Sequence, residues 1–122
     1  MLICITGLTG SGKTTALNYI AKKGFTTFEV DKYIHSIYKK GDKGYDVIKH
    51  SFGDKYVNEH EVDRKKLGQL VFNDKDQLNK LNNLMLPFIK QKLRELKKQN
   101  KLIFVEMAIF LNYVDYFENS FD

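Results

Sequence analysis

The 122-residue sequence predicts an α/β fold with a parallel sheet. Three observations carry that expectation. Short apolar or strand-forming runs occur at 2–6, 26–30 and 101–106. A glycine-rich turn, Gly7-Leu8-Thr9-Gly10-Ser11-Gly12-Lys13-Thr14, follows the first of them directly. Between the runs, apolar residues recur at helical spacing.

Taken in order, residues 2–6 read as the first strand and 13–23 as the first helix, which Gly24 ends. Thr26-Thr27-Phe28-Glu29-Val30 reads as the second strand, with Asp31 at its C-terminal end. Residues 32–40 read as a helix with Tyr33, Ile34, Ile37 and Tyr38 on a partly apolar face, and Gly41 and Gly44 interrupt it. A short helix over 45–52 closes at Gly53-Asp54. Residues 61–72 read as a turn running into a helix. From 76 to 100 the pattern is helical again, with Leu78, Leu81, Leu84 or Met85, Phe88, Ile89, Leu93 and Leu96 at core-like spacing. Pro87 lies inside it and is expected to kink the helix or start a new one. Lys101-Leu102-Ile103-Phe104-Val105-Glu106 reads as the third strand, and 107–117 as an apolar helix or loop. The stretch between strands two and three, 32–100, is far longer than a crossover needs and reads as a helical insertion into a core formed by 1–31 and 101–122. There is no internal repeat.

The formal charge is +5. Arg64 and Arg94 are the only arginines, so lysine supplies the other 18 of the 20 basic residues. Nucleic-acid readers lean on arginine for bidentate contacts, and no aromatic platform accompanies the lysines at 90–101, so these read as a solvated helix face rather than a nucleic-acid site. The positive balance suits a small anionic ligand. Cys4 is the single cysteine, which excludes an internal disulfide and reads as a core residue. His50 and His60 lack metal-ligand spacing, so no zinc is expected. No apolar run reaches membrane-spanning length and no signal peptide is visible; a cytoplasmic protein with no membrane partner is expected.

The strand, glycine turn and helix around 7–14 form a complete P-loop, which predicts the three-layer α/β/α arrangement of P-loop NTPases. Gly7 and Gly12 let the backbone curl round a phosphate. Gly10, Ser11, Gly12, Lys13, Thr14 and Thr15 are the nucleotide-binding candidates: inward N–H groups cradle the phosphates at the positive helix end, Lys13 reaches the β- and γ-phosphates, and the Thr14 hydroxyl ligates magnesium. With no guanine-reading Asn-Lys-x-Asp signature, Mg·ATP is the expected nucleotide.

Ligands in such folds lie at the C-terminal ends of the strands, where Asp31 and Glu106 fall. A kinase needs a carboxylate that orients and deprotonates the acceptor hydroxyl. Asp31 is placed for that role, alone or with magnesium as a second metal ligand; it also reads as a helix N-cap. Glu29 lies on the same side of the strand by alternation. Glu106 reads as a residue that tunes magnesium and its waters on the acceptor side, or as a cap. Asp63 and Arg64 read from the residues alone as a cap and a surface charge.

These residues together resemble the dephospho-CoA kinase family, in the family's order from 2 to 106. The resemblance rests on the P-loop opening, on Phe28-Glu29-Val30-Asp31, on Phe52-Gly53 followed by Val62-Asp63-Arg64-Lys65-Lys66-Leu67-Gly68-Gln69-Leu70-Val71-Phe72, on Leu81-Asn82-Asn83-Leu84-Met85-Leu86-Pro87-Phe88-Ile89, and on the third strand. It implies transfer of the ATP γ-phosphoryl group to the ribose 3′-hydroxyl of dephospho-CoA. It also implies Asp31 as the base, with Lys13, and His35, Asp63 and Arg64 in a dephospho-CoA-binding insertion. His35 stands where the family commonly carries a basic residue. Two positions depart from the pattern: Glu29 replaces an aspartate, and Leu86 replaces a histidine before the proline. Relative to the family, the C-terminal strands and the arginine-bearing lid are expected to be missing, which predicts self-association through the incomplete sheet. Two other functions fit the motifs: another small-molecule P-loop kinase, and a non-catalytic nucleotide-binding protein.

Overall fold

The computed structural model describes residues 1–5 and 19–106. Residues 6–18, which include the P-loop sequence, the side chains of Cys4 and Ile5, and the segment from 107 onward lie outside the described residues. The chain divides into two compact units, one built from Met1–Asp31 with the chain from Ile89 onward, the other from Lys32–Phe88.

In the first unit, β1 (Leu2–Ile5), β2 (Thr26–Glu29) and β3 (Ile103–Glu106) form a parallel sheet in the order β1-β3-β2. The last strand in sequence is therefore the central one. Its residues Ile103 and Val105 are fully buried on one face, and Phe104 and Glu106 are half-buried and buried on the other. A strand covered on both faces in this way is what a near-continuous apolar run builds in a parallel sheet. Residues 19–22 are helical, and Gly24, at φ 91°, ends that helix before β2. Phe25 meets Phe104 edge-on, with ring centroids 5.7 Å apart.

α1 (Val30–Ile37) starts at once after β2. The strand expected to reach Val30 thus stops one residue short, and Val30 is buried as the first helical residue. In the second unit, α1 leads to α2 (Lys43–Phe52), a 3₁₀ turn (Asp54–Tyr56) and α3 (Arg64–Asn73). Asp42 caps α2, its carboxylate accepting the Lys43 N–H at 2.8 Å. Gly53, at φ 108°, closes the helix with its N–H on the Lys49 carbonyl. Lys80 covers the same helix end: its ammonium donates to the Ser51 carbonyl at 2.7 Å and lies 4.7 Å from the Phe52 ring centroid.

Ile34, Ile37, Tyr38, Tyr45, Ile48, Val62 and Leu67 form the buried set of this unit together with Met85 and Leu86. Gly44 sits where α2 passes the end of α1. A Cβ there would lie 2.5 Å from the Ile37 carbonyl oxygen, so the contact is backbone against backbone and cannot be relieved by rotating a side chain. Gly44→Ala is expected to cost about 1–3 kcal/mol of stability. Urea denaturation of the two proteins checks this, and an unchanged midpoint would mean that the close approach is not formed.

α4 (Lys75–Lys97) is a single helix that contains Pro87. Of the two outcomes expected at the proline, a kink or a new helix, the new helix start does not occur. A mid-helix proline costs about 3 kcal/mol or more. Here Met85, Leu86, Ile89 and Leu93, all nearly or fully buried, flank it and hold the turns in place. Leu78, expected in the core, is exposed. Leu86 is the converse: only 4% exposed, it serves as a packing residue.

Candidate active site

The register of the sheet builds one side of the site. Ile5 of β1 and Glu29 of β2 both pair with Glu106 of β3. This row crosses the C-terminal edge of the sheet, and the P-loop sequence begins one residue beyond Thr6, which follows Ile5. Residues paired across parallel strands project to the same face, so Glu29 and Glu106 stand side by side there. Glu106 is 6% exposed, the one charged residue buried among those described. Two residues after Glu29, Asp31 lies half-buried in the first turn of α1. It is not the N-cap, because the helix begins before it.

The second unit assembles a different group. Asp63 is the N-cap of α3; its carboxylate accepts the Lys66 N–H at 3.1 Å. The segment before it is pinned on several sides. The Asn58 side chain accepts the N–H groups of His60 and Glu61, the Tyr45 hydroxyl donates to the Asn58 carbonyl at 2.6 Å, and the Val62 N–H donates to the Tyr38 carbonyl at 2.9 Å. Lys39 and Glu61 add an exposed ion pair at 3.2 Å. The first residue of α3 is then delivered to α1. The Arg64 guanidinium lies 3.1 Å from Nδ1 of His35. Guanidinium only donates, so Nδ1 is the acceptor in this contact. The Tyr38 ring lies 6.4 Å from the imidazole.

Burial pushes the Tyr38 phenol up to about 12, against the opposing pull of the Arg64 charge. The folded value exceeds the ordinary one near 10, so the stabilisation is fully present below pH 10 and is lost as pH rises towards 12. Unfolding free energy is expected to hold to about pH 10 and then fall by about 2–3 kcal/mol by pH 12, from a shift of about two units. Tyr38→Phe should remove that slope. Denaturant titrations at pH 9 and 11.5 check it, and an identical slope in the variant would contradict the assignment.

Of the residues the sequence singles out, Gly10, Ser11, Gly12, Lys13, Thr14 and Thr15 lie outside the described residues. Asp31 and Glu106 fall in the first unit, at the strand ends. His35, Asp63 and Arg64 fall in the second, where His35 and Arg64 are in contact across 29 positions of sequence. Tyr38, read from the sequence as part of the apolar face of 32–40, is buried beside this pair.

Among the described residues no group of three or more His, Cys, Asp and Glu could hold a metal. A structural cage for a cation is not what the residues offer. Asp31, Glu29 and Glu106 are hard oxygen donors, and magnesium at a phosphate is bound through one or two carboxylates with substrate phosphates and water. The residues present fit that use. No helix among those described is long and apolar enough to cross a membrane.

Comparison with known proteins bears on the family and the fold. The family model described as dephospho-CoA kinase matches residues 1–115. A dephospho-CoA kinase of Mycoplasma pneumoniae is 44% identical over 125 residues, covering 100% of this chain and 62% of the relative. One of Mycoplasma genitalium is 40% identical, covering 100% and 63%. The chain thus spans under two thirds of the length of these relatives. Among solved structures, dephospho-CoA kinase from Campylobacter jejuni aligns with a TM-score of 0.66 at 31% identity, over 90% of this chain and 58% of that one. A Thermus thermophilus structure aligns with a TM-score of 0.73 at 25% identity, over 93% and 58%. The α/β fold with a parallel sheet and helical insertion is shared with both.

Proposed function

The chain belongs to the dephospho-CoA kinase family, and we propose that it carries the catalytic half of an enzyme that phosphorylates the ribose 3′-hydroxyl of dephospho-CoA with ATP in the cytoplasm, giving CoA and ADP. The observation that carries this reading is the in-register row of Ile5, Glu106 and Glu29, which sets acidic residues beside the strand that leads into the P-loop.

In this reading the P-loop backbone from Gly10 to Thr15 holds the ATP phosphates. Lys13 bears on the phosphoryl oxygens that carry the transferred charge. Asp31 accepts the proton of the 3′-hydroxyl as its oxygen attacks the γ-phosphorus and the bond to the β–γ bridging oxygen breaks, leaving ADP. Thr14, with Asp31, would hold magnesium, which when bound offsets charge on the phosphates. Glu106 and Glu29 keep the strand ends acidic and orient the acceptor. The helical unit supplies acceptor recognition: Arg64, from the first turn of α3, offers donors to an acceptor phosphate, Asp63 sets its backbone, and His35 holds its guanidinium.

An acceptor panel tests this assignment. Labelled Mg·ATP is presented with dephospho-CoA, adenosine, AMP and shikimate, and label transfer is measured for each. Transfer to dephospho-CoA at least tenfold faster than to the others is expected. Preferential labelling of a nucleoside or of shikimate would overturn the reading in favour of another kinase.

A further inference from the structure

We propose that the cleft between the 3₁₀ turn and α3 is an anion-binding site that takes an organic diphosphate. The cleft has a volume of about 450 Å³, within the range of small-ligand sites. Lys55 enters from the turn and Lys66 and Gln69 from α3, while Tyr56 and Leu70 supply apolar wall. Neither ammonium has a carboxylate partner among the described residues. Lys55 instead lies 5.4 Å from the centroid of the neighbouring Tyr56 ring. The one acid at the cleft, Asp74, is engaged elsewhere: its Oδ1 accepts the N–H groups of Asp76 and Gln77 at the start of α4.

The charge arrangement of α3 is a second, separate observation. Its first turn carries Arg64, Lys65 and Lys66 and no acid. Cations at that end oppose the helix dipole and weaken the helix. Asp63 is the only local compensation, through the cap it makes with Lys66. An anion seated between Lys55 and Lys66 relieves this repulsion and brings charge-assisted hydrogen bonds with it. One ammonium on each side suits two linked phosphoryl groups, and the Tyr56–Leu70 wall suits an uncharged arm attached to them. That the diphosphate belongs to dephospho-CoA, and not to a free nucleotide, rests on the function proposed above.

Calorimetric titration with dephospho-CoA, ADP and inorganic pyrophosphate tests the site in the wild type, in Lys55→Glu/Lys66→Glu, and in Lys98→Glu/Lys101→Glu as a control of equal net charge. Dephospho-CoA affinity should fall at least tenfold in the first variant and less than twofold in the control. The melting temperature of the first variant should hold or rise, since Lys66→Glu places an acid at the favourable helix end. Equal affinity in wild type and first variant, or equal losses in both variants, would overturn the site. If ADP loses affinity as dephospho-CoA does, the site stands and its ligand is a diphosphate in general. If the wild type binds no dephospho-CoA, the function proposed above fails on its own, and amide shifts decide the cleft. Pyrophosphate-induced shifts at Lys66, Gln69 and Leu70 support it, and no shift there sinks it.

Discussion

Asp31→Asn is expected to lower the rate of CoA formation by about 10²–10⁴-fold, the range that a positioned general base contributes. The substitution keeps the size and the hydrogen-bonding reach of the side chain but removes its basicity. Asp31 is not the cap of α1, so the substitution removes no capping bond, and the protein should remain folded in a thermal melt. Mg·ATP affinity should also be kept within a few-fold, because the P-loop supplies most phosphate contacts. Steady-state assay of CoA formation, with ATP binding measured in parallel, checks both parts. A variant that turns over at more than a tenth of the wild-type rate would remove Asp31 from the role of base.

The second large effect is expected at Arg64. Arg64→Ala should raise KM for dephospho-CoA about ten- to hundredfold, in line with about 1.5–3 kcal/mol for hydrogen bonds to a charged group. The turnover number should hold within a few-fold, because Arg64 is assigned to binding the acceptor and not to the reacting phosphoryl group. Arg64→Lys should recover only part of the affinity, since lysine lacks the fork that donates at once to His35 and to a phosphate. Arg64 is exposed and its N-cap remains Asp63, so helix α3 should survive. Michaelis analysis of the two variants separates this from a structural role. A fall in turnover with KM unchanged would contradict the assignment.

Much of the architecture could be read from the residues, and the exceptions have physical causes. β1 and β3 are short, largely apolar runs, and such runs are what a parallel sheet needs of its strands. Gly41 and Gly53 marked real breaks, because their positive φ values are ones that other residues rarely adopt, whereas Gly44, also read as an interruption, lies inside α2. Strand order was not legible: nothing local says that β3 lies between β1 and β2, since that pairing joins residues about a hundred positions apart. At Pro87 the sequence left a kink or a new helix open; one helix runs through it, with Met85, Leu86, Ile89 and Leu93 buried around the proline. On the site side, the positions of Asp31 and Glu106 at the ends of β2 and β3 could be read from the sequence. The contact of His35 with Arg64 depends on the pinning of 57–63 through the Asn58 and Tyr45 bonds, a tertiary arrangement that spacing alone does not encode.

The most direct test of the central claim is to incubate this chain with Mg·ATP and dephospho-CoA and to identify the product by phosphorus NMR. The account predicts stoichiometric ADP and a new phosphate monoester on the ribose 3′-oxygen. Phosphate placed on another oxygen, or ADP released with free phosphate while dephospho-CoA is bound and unchanged, would contradict it.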